Sequence, residues 1–158
     1  MNKIHKLFLI TVFLLGCNVK AEHQPFQYDS LTEIESNHKN QPFLLIVWSL
    51  ECPPCRGELE LVSQIKKQYP KLNLAFISTD NINQASELNE LFSSLNLPMN
   101  ELWAFNQSSP QRLRYGIDKN WYGEMPRSYF YNSNHERVAV SGKLSKALII
   151  KWIGENFN

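Results

Sequence analysis

Residues 43–58 read FLLIVWSLECPPCRGE. Six apolar residues in succession, Phe43 to Trp48, run towards two cysteines, Cys52 and Cys55, with only prolines between them. A continuous apolar run, rather than an alternating one, predicts a strand buried on both faces, as in a parallel sheet covered by helices. Beyond the cysteines Leu59, Val62, Ile65 and Tyr69 recur at helical spacing until Pro70 ends the pattern. The two thiols therefore fall where a strand hands over to a helix.

The same alternation continues outward. LNLAFIS, residues 72–78, predicts a second strand. Ala85, Leu88, Leu91, Phe92 and Leu95 mark an amphipathic helix that stops before Pro98. Upstream, Ser30 and Glu33 have capping-box spacing and predict a short helix over 31–38, broken by the run Lys39 to Pro42. Downstream, LWAF (102–105) predicts a short strand, and Ser109-Pro110 starts a helix to about Tyr115. SYFYN (128–132) and RVAVSG (137–142) predict a hairpin turning at 133–136. Ser145 caps a last helix with Leu148, Ile149, Trp152 and Ile153 on one face. Strands alternating with helices imply parallel pairing, and the hairpin adds antiparallel strands. The expected class is α/β, a mixed central β-sheet with helices on both faces.

The N-terminus has a different composition. Lys3 and Lys6 precede LFLITVFLLG, residues 7–16. That apolar run is too short to span a bilayer and has the length of a signal-peptide core. Leu14-Leu15-Gly16-Cys17 resembles a lipoprotein box, in which Cys17 would carry the lipid; release after Ala21 is the other reading. The expected organisation is a signal peptide over 1–21, a linker over 22–30 and one domain over 31–158. The chain has 158 residues, with 16 Lys+Arg against 15 Asp+Glu and no basic block. Clustered positive charge is what phosphate neutralisation requires, so nucleic-acid binding is disfavoured.

Three readings compete for Cys52 and Cys55. A structural zinc site takes four ligands, and the histidines beyond the expected signal peptide, His23, His38 and His135, are scattered along the chain. Neither a metal nor another cofactor is expected. A structural staple across three residues closes too small a loop to constrain the unfolded chain. The placement fits a redox pair. A thiol at a helix N-terminus lies at the positive end of the helix dipole, which favours its thiolate. Cys52 would attack a disulfide, and Cys55, one turn deeper, would resolve the mixed disulfide. Pro53 and Pro54 lack backbone donors, which leaves the Cys55 N–H to hold the Cys52 sulfur.

Strand, Cys-Pro-Pro-Cys and helix together resemble the TlpA-like branch of the thioredoxin fold, over about residues 31–157. Trp48, four residues before the first cysteine, and Arg56, after the second, match that pattern. So does Glu58, three past the second cysteine, a position that the family uses to tune the thiols and move protons. Tyr122-Gly123-Glu124-Met125-Pro126 resembles the stretch ending in the family's cis-proline. The resemblance implies an exported thiol–disulfide oxidoreductase on the periplasmic side of a bacterial envelope. Its expected partners are protein disulfides and a membrane electron donor, with contact to the membrane itself only through a lipid on Cys17. Cytochrome c maturation is one pathway for such a reductant. A Cu(I) carrier and a binding module with vestigial cysteines are the competing classes.

Two departures stand out. Glu51 precedes Cys52 where the family has an aromatic residue, and its charge opposes a neighbouring thiolate. Ile46 stands near the position where thioredoxins proper bury an acid, which leaves Glu58 as the obvious carboxylate. By spacing alone Glu58 reads first as a solvated acid on an exposed helix face, and only second as a proton acceptor for Cys55. Trp121 and Tyr122 read either as the floor of a substrate groove or as packing.

Overall fold

The computed structural model describes residues 23–106 and 109–157. Eleven regular elements follow in order: β1 (Gln24–Phe26), α1 (Ser30–Asn37), β2 (Phe43–Trp48), α2 (Pro53–Gln68), β3 (Leu74–Asn81), α3 (Ala85–Leu95), β4 (Leu102–Phe105), α4 (Pro110–Ile117), β5 (Arg127–Tyr131), β6 (Arg137–Ser141) and α5 (Lys146–Asn156). The sheet has strand order β1-β4-β3-β2-β5-β6. Pairing is parallel from β1 through β4 and β3 to β2, then antiparallel from β2 to β5 and β5 to β6.

β2 lies inside the sheet, and all six of its residues are buried. Strand pleating sends successive side chains to opposite faces. Leu44, Ile46 and Trp48 enter a core closed by α2, α3 and α5, with Leu59, Val62, Leu88, Phe92 and Ile149. Phe43, Leu45 and Val47 enter a second core closed by α1 and α4, with Ile34, Leu113 and Ile117. This is why no polar residue interrupts FLLIVW: both of its faces are interior.

The expected elements form, with three differences. The stretch read as a linker, 22–30, is partly sheet: β1 pairs in parallel with β4, and Phe26 is fully buried, stacked on Phe105 at 5.6 Å between centroids. Ser30 is the first helical residue rather than the cap; its hydroxyl accepts from the Gln27 N–H at 2.8 Å, and Asp29 occupies the cap position. β3 starts two residues later than expected and runs on to Asn81, because Asp80 finds buried hydrogen-bond donors there.

Candidate active site

The cysteines leave the C-terminal end of β2, where ligand and catalytic sites of parallel sheets gather. Cys52 is the N-cap of α2, with extended backbone (φ −111°, ψ 94°), and the prolines fill the first helical turn. The Cys55 N–H donates to the Cys52 sulfur at 3.3 Å and to the Cys52 carbonyl at 3.0 Å. Cys52 and Cys55 form a disulfide, with Cα atoms 5.3 Å apart. Of the two, Cys52 is 8% exposed and Cys55 only 1%, so an incoming sulfur meets Cys52 first.

Glu58 is fully buried, so the reading of a solvated helix acid does not hold. The Ser128 hydroxyl donates to its Oε1 at 2.8 Å, and the Leu144 N–H donates to its Oε2 at 2.7 Å. Burial pushes its carboxyl above the usual glutamate range, against the opposing pull of the Leu144 and Ser128 donors and the Lys143 ammonium. A carboxylate of raised basicity, one turn along the helix from Cys55, is placed to hold a thiol proton.

Met125-Pro126 is a cis peptide bond. In the β2–β5 ladder Val47 pairs with Arg127, so Pro126 comes abreast of Trp48, where the cysteine loop begins. Pro126 is buried, and Met125 packs partly against both cores. The Thr79 hydroxyl lies 3.7 Å from the Met125 sulfur. The loop before Pro126 is braced from Arg127, whose guanidinium meets Asp118 at 2.9 Å and Glu124 at 3.2 Å. Trp121 is buried and donates its indole N–H to the Glu124 carbonyl at 2.8 Å, whereas Tyr122 is 94% exposed. The pair therefore does not form one groove floor: Trp121 is packing and Tyr122 is surface.

The remaining expected residues divide in the same way. Trp48 is 1% exposed and stacks on Phe92 at 5.4 Å, so it supports the site from beneath and offers no surface to a partner. Glu51 and Arg56 are exposed, and with Leu50, Glu87, Glu90, Leu91 and Ser94 they line a groove beside the disulfide. Cys17 lies outside the described residues. Among those described, no helix is long and apolar enough to cross a membrane, and no cluster of three His, Cys, Asp or Glu side chains could hold a metal ion.

Sequence reasoning missed Asp80. Its buried carboxylate accepts from the Ser49 hydroxyl and the Leu50 N–H, each at 2.8 Å, and from the Ser78 hydroxyl at 2.6 Å. It thus ties the loop that carries Cys52 to the end of β3. A carboxylate closing the apolar run of β3 was the available signal.

No protein-family model matches the chain, and no curated protein matches its sequence. Solved structures do. A thiol:disulfide interchange protein of the thioredoxin family from Chlorobium tepidum aligns at a TM-score of 0.62 and 15% identity, over 78% of this chain and 85% of that one. A secreted disulfide oxidoreductase of Mycobacterium tuberculosis aligns at 0.55 and 16%, over 76% and 85%. The exposed lipoprotein thioredoxin of Streptococcus pneumoniae aligns at 0.53 and 16%, over 76% and 88%. At such identities the likeness is one of architecture, and with the site geometry above it shows that this chain has the thioredoxin fold.

Proposed function

We propose that the protein is an exported thiol–disulfide oxidoreductase of the TlpA-like kind, working as a reductase of protein disulfides. The observation that carries this reading is the Cys52–Cys55 disulfide at the N-terminus of α2, with its outer sulfur the more exposed and a buried acid one turn behind the inner one. In the reduced protein the Cys52 thiolate attacks one sulfur of a substrate disulfide. A mixed disulfide forms, and the other substrate sulfur leaves as a thiolate. Cys55 then gives its proton to Glu58 and attacks the Cys52 sulfur. The Cys52–Cys55 disulfide forms, the second substrate sulfur leaves, and two electrons have passed to the substrate. A membrane electron donor would restore the dithiol. The segment ending at Met125-Pro126, abreast of the cysteine loop, is where a substrate segment would lie.

Export rests on residues 1–21 and on the structural neighbours, of which one is described as secreted and one as an exposed lipoprotein. Attachment through Cys17 and a role in haem-protein maturation belong to the same reading.

The test is covalent trapping. Cys55→Ala should accumulate mixed disulfides through Cys52, because the resolving thiol is gone, and Cys52→Ala should accumulate few or none. Equal trapping by both variants would overturn the assignment of attacker and resolver; trapping by neither would remove the oxidoreductase reading. Palmitate labelling that disappears in Cys17→Ala is expected if the lipoprotein reading holds, and a released protein beginning at Glu22 would exclude it.

A further inference from the structure

The six-stranded sheet ends in two unlike edges. β1 is three residues long and has Pro25 at its centre, a residue with no N–H to offer a neighbour. β6 reads Arg-Val-Ala-Val-Ser, with neither proline nor lysine, and among the described residues no strand pairs with its outer side. Its free backbone groups can be assigned. The Gly142 N–H donates to the Pro126 carbonyl at 2.8 Å, and the Asn132 N–H donates to the Glu136 carbonyl at 3.0 Å. Along an antiparallel ladder, residues alternate between facing the partner strand and facing away. Residues 136, 138, 140 and 142 therefore face β5. Arg137, Ala139 and Ser141 turn their N–H and C=O groups outward.

The side chain that could shield this edge is engaged elsewhere. The Arg137 guanidinium donates to the Tyr131 hydroxyl at 2.8 Å and the Ile117 carbonyl at 2.9 Å, and it lies over the Tyr129 ring at 4.8 Å. On the α5 side of the edge runs a groove with Phe130, Val138, Val140, Leu148 and Trp152 in its lining. Val138 is 66% exposed, a β-branched apolar side chain standing open on a strand with unpaired backbone. Lys151 and Glu155 stand on the same groove, 4.0 Å apart.

We propose that this edge is a self-association surface, on which a second copy of the chain lays its own β6 antiparallel across a twofold axis at Ala139. The pattern is complementary to itself. With Ala139 on the axis it faces the second copy's Ala139, and Arg137 faces the second copy's Ser141. All the groups so matched are the outward ones. Each facing pair exchanges two backbone hydrogen bonds, about six in all. Val138 then meets the second copy's Val140 at the closer, non-hydrogen-bonded positions, on the side of the sheet where α5 packs. The two α5 helices run antiparallel on that side. Each presents Lys151 and Glu155 to the groove, so the reversal sets Lys151 of one helix towards Glu155 of the other. The contact is isologous and closes as a pair, without an open end for further growth.

Sedimentation velocity on the intact oxidised protein should show a monomer–dimer equilibrium that depends on concentration. Ala139→Pro removes an N–H that makes no bond to β5, and an edge strand tolerates proline; it should weaken association about tenfold or more. Val138→Glu, which leaves the backbone unchanged, should do the same. Both variants should reduce a small-molecule disulfide at the wild-type rate, which also shows that they are folded. In a background of Cys52→Ser with Cys55→Ser, Ala139→Cys should cross-link to a covalent dimer on oxidation, and Ser141→Cys should not. A protein that stays monomeric at every concentration overturns the proposal. So does a dimer that survives both edge substitutions, or cross-linking of Ser141→Cys as readily as Ala139→Cys.

Discussion

Two carboxylates flank the same disulfide, and the fold treats them in opposite ways. Glu51 precedes Cys52 and lies exposed on the rim of a groove; Glu58 follows Cys55 by one turn and is fully buried. Seen from the sulfur atoms the two resemble each other, since each is an acid within three residues of a cysteine. Their surroundings separate them. Water and salt screen an exposed charge within about a Debye length. A buried carboxyl has no such screen, and it holds two donors that lose their partner if it is removed. Position in the fold, more than distance along the chain, separates a buried, hydrogen-bonded acid from a screened one.

The largest expected effect tests what the buried acid holds together. Glu58→Ala strips the acceptor from the Leu144 N–H and the Ser128 hydroxyl and leaves a void, which should cost about 3 kcal/mol of folding stability. Denaturant unfolding of the oxidised protein measures it. A loss no larger than that of an ordinary surface substitution would erase the contrast with Glu51.

Glu58→Gln should keep the shape, because the amide can accept from Leu144 and donate to the Ser128 oxygen. It removes the proton acceptor. Resolution of the mixed disulfide in single-turnover exchange should slow by about 10²-fold, the low end for a general base. The same variant has a pH signature. A carboxyl whose folded-state pKa is raised contributes its stability in full below the ordinary value of 4.5, and loses that contribution as pH rises through the folded-state value. The stability of the wild type relative to Glu58→Gln should therefore fall as pH climbs above 4.5. A difference that is flat with pH would mean that the carboxyl titrates as it does in the unfolded chain.

The smallest effect belongs to Glu51. Glu51→Gln removes a like charge beside the Cys52 thiolate, so alkylation of reduced Cys52 at neutral pH should quicken, by no more than about threefold because the site is screened. Stability should stay within about 0.5 kcal/mol of the wild type, as for most surface substitutions. An effect of Glu51→Gln as large as that of Glu58→Gln would break the comparison from the other side.

What could be read in advance follows the same division between local and distant causes. FLLIVW announced a doubly covered strand because its own composition carries that information, and Cys-Pro-Pro-Cys announced a helix start because proline and the N-cap are local devices. β1 escaped detection: three residues with a central proline have no periodicity, and only pairing with β4 makes them a strand. The burial of Glu58 was not legible either, since its two donors lie 70 and 86 residues further along. Asp80 was missed for a related reason. The loop it tethers belongs to residues 30 and 31 positions earlier, so an acid at the end of an apolar strand marked its place but not what it holds.

The reach of Glu58 to Leu144 also bears on how the protein matures. A chain is made from its N-terminus and folds largely in that order. Cys52, Cys55 and Glu58 emerge together, but the backbone amide that fastens the acid arrives 86 residues later. Until the segment between β6 and α5 docks, the acid lacks its Leu144 donor and the cover that makes it a buried carboxyl. The dithiol therefore exists before its folded surroundings do. A nascent or C-terminally truncated chain should carry cysteines that oxidise like those of any unfolded peptide, and their folded surroundings are complete only when the segment carrying Leu144 docks on Glu58.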